Sequence, residues 1–204
     1  MTRDQVLSAP LIICAAVLSA APVLASQEST PLTAAILPDG SYSKLAIKEM
    51  GREAAKILKK SGMSLRWRVG TPQKAVNGRL VVVRLVGRCD MDASPALPES
   101  GALGWTHEVD GKILPFADVA CDTLRGFVGA SAHAPDLARG NVLLGRAMGR
   151  VLAHELYHIA ADTAEHGRDG VAQAALTRSQ LTSGSLELEA SEVTAVAIGL
   201  TRFH

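Results

Sequence analysis

Apolar residues recur along this chain at two different periods, and the change of period divides it. From Tyr42 to Lys60 the spacing is helical. Leu45, Met50, Ala54, Ile57 and Leu58 fall on one side, and Lys59, Lys60 and Gly62 form a stop. Ser64 to Val69 then alternates, with Leu65, Trp67 and Val69 on one face and Arg66 and Arg68 on the other, which predicts a strand. Leu80 to Val86 is a Val-rich run suited to a buried central strand. Residues 90–101 read as a loop. Leu103 to Val109 and Ile113 to Ala120 flank Asp110-Gly111, a hairpin signal.

The second half turns helical. Asn141 to Ala161 is a long aliphatic segment interrupted only by Gly145 and Gly149. Four residues apart, these glycines share a helical face and would let the helix lie close against the sheet. The pattern breaks around 162–170 and again at 182–184, and Leu186 to Thr201 reads as a final helix. Residues 26–40 start polar and carry Pro31, Pro38 and Asp39-Gly40, so they read as a linker or N-terminal arm. Helix, strands, hairpin, long helix and last helix, in that order, predict a single α+β domain over residues 41–204.

Composition narrows the class of protein. The chain has 204 residues, 48% hydrophobic and 20% charged, with a formal net charge of +1. No basic field points to nucleic acid, and no acidic run points to a solvating tail. Residues 1–25 have the form of a secretory signal peptide: Arg3, an apolar run from Leu11 to Leu18, then Val23 and Ala25 before a cut ahead of Ser26. The apolar stretch is only about 15 residues, short of the ~20 that span a bilayer. The expected location is therefore secreted or periplasmic, with no membrane span after cleavage. Cys14 leaves with the signal, and Cys89 and Cys121 become a disulfide candidate. Closing that loop would stabilise the fold by roughly 3–4 kcal/mol on the chain-entropy picture.

The chemistry concentrates between Ala153 and Val171. His154-Glu155-Leu156-Tyr157-His158 is an HExxH motif inside the aliphatic helix. Residues four apart on a helix differ by about 40° in direction and about 6 Å along the axis. His154 and His158 can therefore converge on one ion, with Glu155 beside them as a proton acceptor. A catalytic zinc takes three protein ligands and keeps a fourth position open. Asp162, next in the stripe, would lie about 12 Å from His154 if the helix continued. A third ligand thus needs a chain reversal after Ala161. His166 is the leading candidate, Asp162 and Glu165 are alternatives, and Glu187, Glu189 and Glu192 are more distant ones. Glu192 also reads as part of the wet face of the last helix.

This stretch resembles the metzincins, a clan of zinc peptidases with HExxH, a nearby third His and a following Met-containing turn. It is most similar to exported bacterial metzincin-like proteins with the third His eight residues after the second. Gly170-Val171-Ala172 stands where those have a Gly-Ile-Met-type turn, so Ala172 replaces the methionine. Ala161-Asp162 stands at the helix exit, where a Gly is usual. The helix, the Trp67 strand, the Val-rich strand and Leu103-Gly104-Trp105 also follow the metzincin pattern.

The resemblance implies a twisted, mostly parallel sheet with an antiparallel edge strand, a long active-site helix and a C-terminal helix. It implies Zn2+ on His154, His158 and His166, Glu155 as general base, and a peptide or protein substrate paired with the edge strand near Leu103–His107. The expected function is a zinc-dependent hydrolase, most simply an endopeptidase. The alternative is a non-catalytic, metal-holding binding module of the same type. Elsewhere, His107 is expected to face solvent, and His133 and His204 to be loop and terminal residues. Tyr157 should pack in the core, and Asp118 or Asp122 could orient a ligand imidazole.

Overall fold

The computed structural model describes residues 31–71, 79–92, 101–129 and 136–202. Residues 1–25, His133 and His204 lie outside them. The fold is α+β. Strands β1 (Leu32–Pro38), β2 (Leu65–Val69), β3 (Arg79–Val86), β4 (Gly104–Val109) and β5 (Lys112–Ala120) form one sheet in the order β2-β1-β3-β5-β4. Every pairing is parallel except β4 with β5, so β4 is the antiparallel edge.

The segment expected to be a linker or arm instead supplies an interior strand. β1 lies between β2 and β3, with Leu32, Ala34, Ala35 and Ile36 all buried. Pro31 and Pro38 had signalled a loop, but one precedes the strand and the other ends it, where a missing N–H costs no ladder bond.

Helix α1 (Lys44–Leu58) starts at Ser43, whose side chain accepts a hydrogen bond from the Ala46 N–H. A 3-10 turn follows over Lys59–Ser61 and stops at Gly62, with φ 75°. The buried stripe is Ala46, Ile47, Met50, Ala54, Ile57 and Leu58, whereas Leu45, expected on it, is 40% exposed. The hairpin turn forms as expected, with Asp110 at φ 50° and Gly111 at φ 74°, the two left-handed residues a tight turn of this kind requires. Helix α2 (Cys121–Gly129) had no counterpart in the sequence reading. Cys89 and Cys121 are joined by a disulfide, with Cα atoms 5.0 Å apart, which ties the segment after β3 to the start of α2.

Helix α3 (Leu137–Ala161) is the spine of the molecule. Asp136 caps its start, accepting from the Arg139 N–H at 3.1 Å. Its glycines serve α1 and not the sheet: a Cβ on Gly149 would lie 2.6 Å from the Met50 carbonyl oxygen, and one on Gly145 2.7 Å from the Cβ of Glu49. The sheet is met at Val151, two residues past Gly149, where Gly104 of β4 lies so close that a Cβ would come 2.6 Å from the Val151 side chain. Arg150, 1% exposed, fastens α3 elsewhere. It pairs with Glu53 of α1 at 2.9 Å and donates to the carbonyls of Ser183 and Gly184 at 2.8 and 2.7 Å. Satisfying every side of a buried guanidinium is what makes its burial tolerable.

Helices α4 (Arg178–Thr182) and α5 (Ala190–Arg202) complete the chain. Residues 186–189, expected to begin the last helix, are instead non-helical. No helix among the described residues is long and apolar enough to cross a membrane.

Candidate metal centre

The last two turns of α3 carry the motif. Leu152, Leu156 and Ile159 are buried in the core and fix the helix's rotation. That rotation sends His154, Glu155 and His158 toward β4. The helix then stops at Asp162, which takes the left-handed conformation at φ 51° and ψ 53°. Its N–H caps the His158 carbonyl, and the Thr163 N–H reaches the same oxygen at 3.1 Å. The required reversal thus occurs with Asp where a Gly would be easiest.

The reversal returns His166 to the helix. The imidazoles of His154, His158 and His166 converge, with their candidate ligand atoms all within 4.8 Å of one another, and this group could hold a metal ion. Asp162, Glu165, Glu187, Glu189 and Glu192 are not in that group. Nor is Glu192 on a wet face. It is 4% exposed, accepts from the Glu189 N–H at 2.8 Å and lies against Gly167, where a Cβ would have no room.

Two carbonyls decide the ring chemistry. His154 Nδ1 lies 2.8 Å from the Val171 oxygen and His158 Nδ1 lies 2.8 Å from the Thr163 oxygen. A carbonyl only accepts, so both Nδ1 atoms carry the proton. Both Nε2 atoms then present lone pairs, and they face each other at 3.0 Å. Two bare lone pairs at that distance repel unless a cation lies between them. Burial is the main force pulling both imidazoles below their usual range, His158 down to about 4, and so keeps them neutral. Neutral nitrogens fixed by outer hydrogen bonds are what a metal requires of histidine. The expected carboxylate partners are absent: Asp118 binds Arg84 and His107, and Asp122 binds Arg125. His107 is accordingly half-exposed and paired.

The loop carrying His166 is itself strapped down. The Gly167 N–H donates to the Ala172 oxygen at 2.8 Å, and the Val171 N–H donates to the Glu187 oxygen at 2.9 Å. Val171 therefore links the irregular segment before α5 to the His154 ring. Ala172, where the resemblance would have a methionine, is fully buried.

The chain matches no protein-family model and no curated protein. What the site can do must be read from its own geometry.

Glu155 is 3% exposed and, among the described residues, makes one polar side-chain contact, accepting from the Thr106 hydroxyl at 2.7 Å. Burial pushes its carboxyl up to about 7, the Thr106 hydrogen bond opposes this, and the Asp118 charge adds to the rise. Thr106 was not singled out by sequence, though its place two residues from Gly104 on the edge strand was the available signal. A cleft of about 230 Å3 opens here, lined by the three histidines, Glu155 and residues of the β4–β5 hairpin. Tyr157 packs in the core as expected, its ring centre 5.3 Å from that of His158.

Proposed function

We propose that this protein is a zinc-dependent hydrolase of metzincin type, acting on peptide bonds outside the cytoplasm. The observation that carries the reading is the facing pair of bare Nε2 atoms on His154 and His158, with His166 beside them and Glu155 in the same cleft. A soft-to-borderline cation bound by imidazoles and leaving room for a substrate fits zinc best. When bound, zinc supplies a Lewis acid that polarises the scissile carbonyl and acidifies water.

The remaining work falls to the chain itself. Glu155 accepts the proton of the attacking water and returns it to the leaving amine. Burial raises this carboxyl above its usual range in the metal-free chain, the direction that suits a group that first takes up a proton and then gives it back. Thr106 holds one carboxylate oxygen, leaving the other free to face the reacting atoms. The unpaired side of β4 offers backbone groups to an extended peptide, which would join the sheet as a further strand.

Purified protein should contain one zinc per chain by metal analysis and should cleave members of a peptide library. Glu155→Gln should keep the zinc and lose about 10²–10⁴ in kcat. Undiminished cleavage by Glu155→Gln would sink the mechanism, and a purified protein unable to bind zinc would sink the site. Stoichiometric zinc with no turnover in either form would favour a metal-holding binding module.

A further inference from the structure

We infer that the cleft beside the three histidines receives a substrate residue with a basic side chain, and that Glu108 recognises its charge. The inference rests on the proposed hydrolase and names the substrate class of that same site.

Alternation along β4 supplies the first argument. Gly104, Thr106 and Glu108 share one face of the strand. Gly104 lies flat against Val151 and Glu155, and Thr106 bonds to Glu155. Glu108 comes next on that face, farther out along the cleft it helps to line. The hairpin is irregular at this point. Thr106 is opposite Ala117 and Glu108 is opposite Ile113, so two steps on β4 match four on β5. Both steps are even, and the irregularity preserves the facing. Glu108 and its partner Ile113 therefore both border the cleft.

The second argument is what remains uncommitted. The histidines and Glu155 serve the metal and the water, and Thr106 serves Glu155. An incoming side chain is left with Trp105, Ile113, Ala164 and Glu108 as its surroundings. Among the described residues, no Lys or Arg lines the cleft. On the opposite face of the hairpin, Asp118 has its charge matched by Arg84 and His107. Glu108 makes no hydrogen bond or ion pair among the described residues. An apolar wall ending in an unmatched carboxylate suits a long aliphatic stem with a cationic head, as in Lys or Arg. An acidic side chain would instead meet Glu108 unopposed.

Binding can be tested without turnover, on the zinc-loaded full chain carrying Glu155→Gln. The probes are peptide hydroxamates identical except for Lys, norleucine or Glu beside the hydroxamate. Lys should bind tightest and Glu weakest. Each step should be up to roughly fivefold at low salt, the upper range for an exposed charge pair, and should shrink as salt rises. Adding Glu108→Gln should bring the Lys-to-norleucine ratio to about one, and Glu108→Lys should invert the series, as that pair range implies. Equal affinities in the parent protein, or a Lys preference that survives Glu108→Lys, would overturn the role of Glu108 alone. If zinc binds but no hydroxamate does, the proposed cleft fails and the charge reading fails with it.

Discussion

His154 and His158 are placed by a helix, and His166 is placed by a loop. The helical pair needs only the pitch of α3 and the buried leucines that set its rotation. The rings are then locked by carbonyls of Val171 and Thr163, both of which come from the chain beyond the helix. His166 is exposed and depends on the turn at Asp162 and on the strap from Glu187 to Val171. The lesson is that the helix provides direction and the loop provides closure, and that the loop also finishes the helix's own ligands.

The sharpest way to break this comparison is to remove one ligand of each kind. His158→Ala leaves one helical ligand and one on the loop. His166→Ala leaves the preset pair, with Nε2 atoms already 3.0 Å apart. Both should weaken zinc binding by more than the ~10–100-fold that loss of an outer partner costs. His158→Ala should be the worse of the two. Chelator competition at fixed pH measures it, and equal losses would show that the helix confers no preorganisation.

A second pair of variants separates scaffold from loop. Gly149→Ala would drive a Cβ to 2.6 Å from the Met50 carbonyl, between α1 and α3. It should cost roughly 1–3 kcal/mol of stability, the usual range for overpacking, with little change in zinc affinity. Gly170→Ala places a Cβ at φ 73° and 2.5 Å from the Glu187 oxygen. The strain there is of order 1–2 kcal/mol, and it falls on the strap beneath His154 and His166. Zinc affinity should therefore drop about tenfold, a cost taken largely from the bound state. Urea unfolding of metal-free protein and zinc titration together test both. A Gly149→Ala protein that binds zinc as poorly as Gly170→Ala would erase the distinction.

The same division explains what could be read from sequence. HExxH, the hairpin at Asp110-Gly111 and the Val-rich strand are local patterns, with geometry fixed by helix pitch, turn chemistry and strand pleat. The need for a reversal after Ala161 followed from distance alone, and Asp162 supplies it. Features that depend on remote partners were not legible. Leu32–Pro38 is a strand because two neighbours flank it, although its prolines read as loop. Gly145 and Gly149 showed a close contact without showing that α1 was the partner. Arg150 gave no sign that it would be buried, since Glu53 and the 183–184 carbonyls come from distant positions. Thr106 and the two ring-locking carbonyls were hidden for the same reason.

The finest test uses Asp118, which belongs to the scaffold but lies on the strand next to β4. Burial pushes its carboxyl up, yet hydrogen bonds from Arg84 and His107, with the charges behind them, outweigh this and hold it below the usual range. A carboxylate with a depressed folded-state pKa adds stability that is complete above its unfolded value near ~3.9 and is lost as pH falls through the lower folded value. Asp118→Asn has no such contribution at any pH. Urea unfolding of the two metal-free proteins should therefore show a stability gap that is constant from neutrality to about pH 5 and narrows below about pH 4. Zinc affinity at neutral pH should stay within about twofold, because ion pairs remote from the ligands leave the loop untouched. A gap that persists unchanged into strong acid would mean that Asp118 contributes through packing. A large loss of zinc affinity would mean that the hairpin, as well as the loop, sets the ligand geometry.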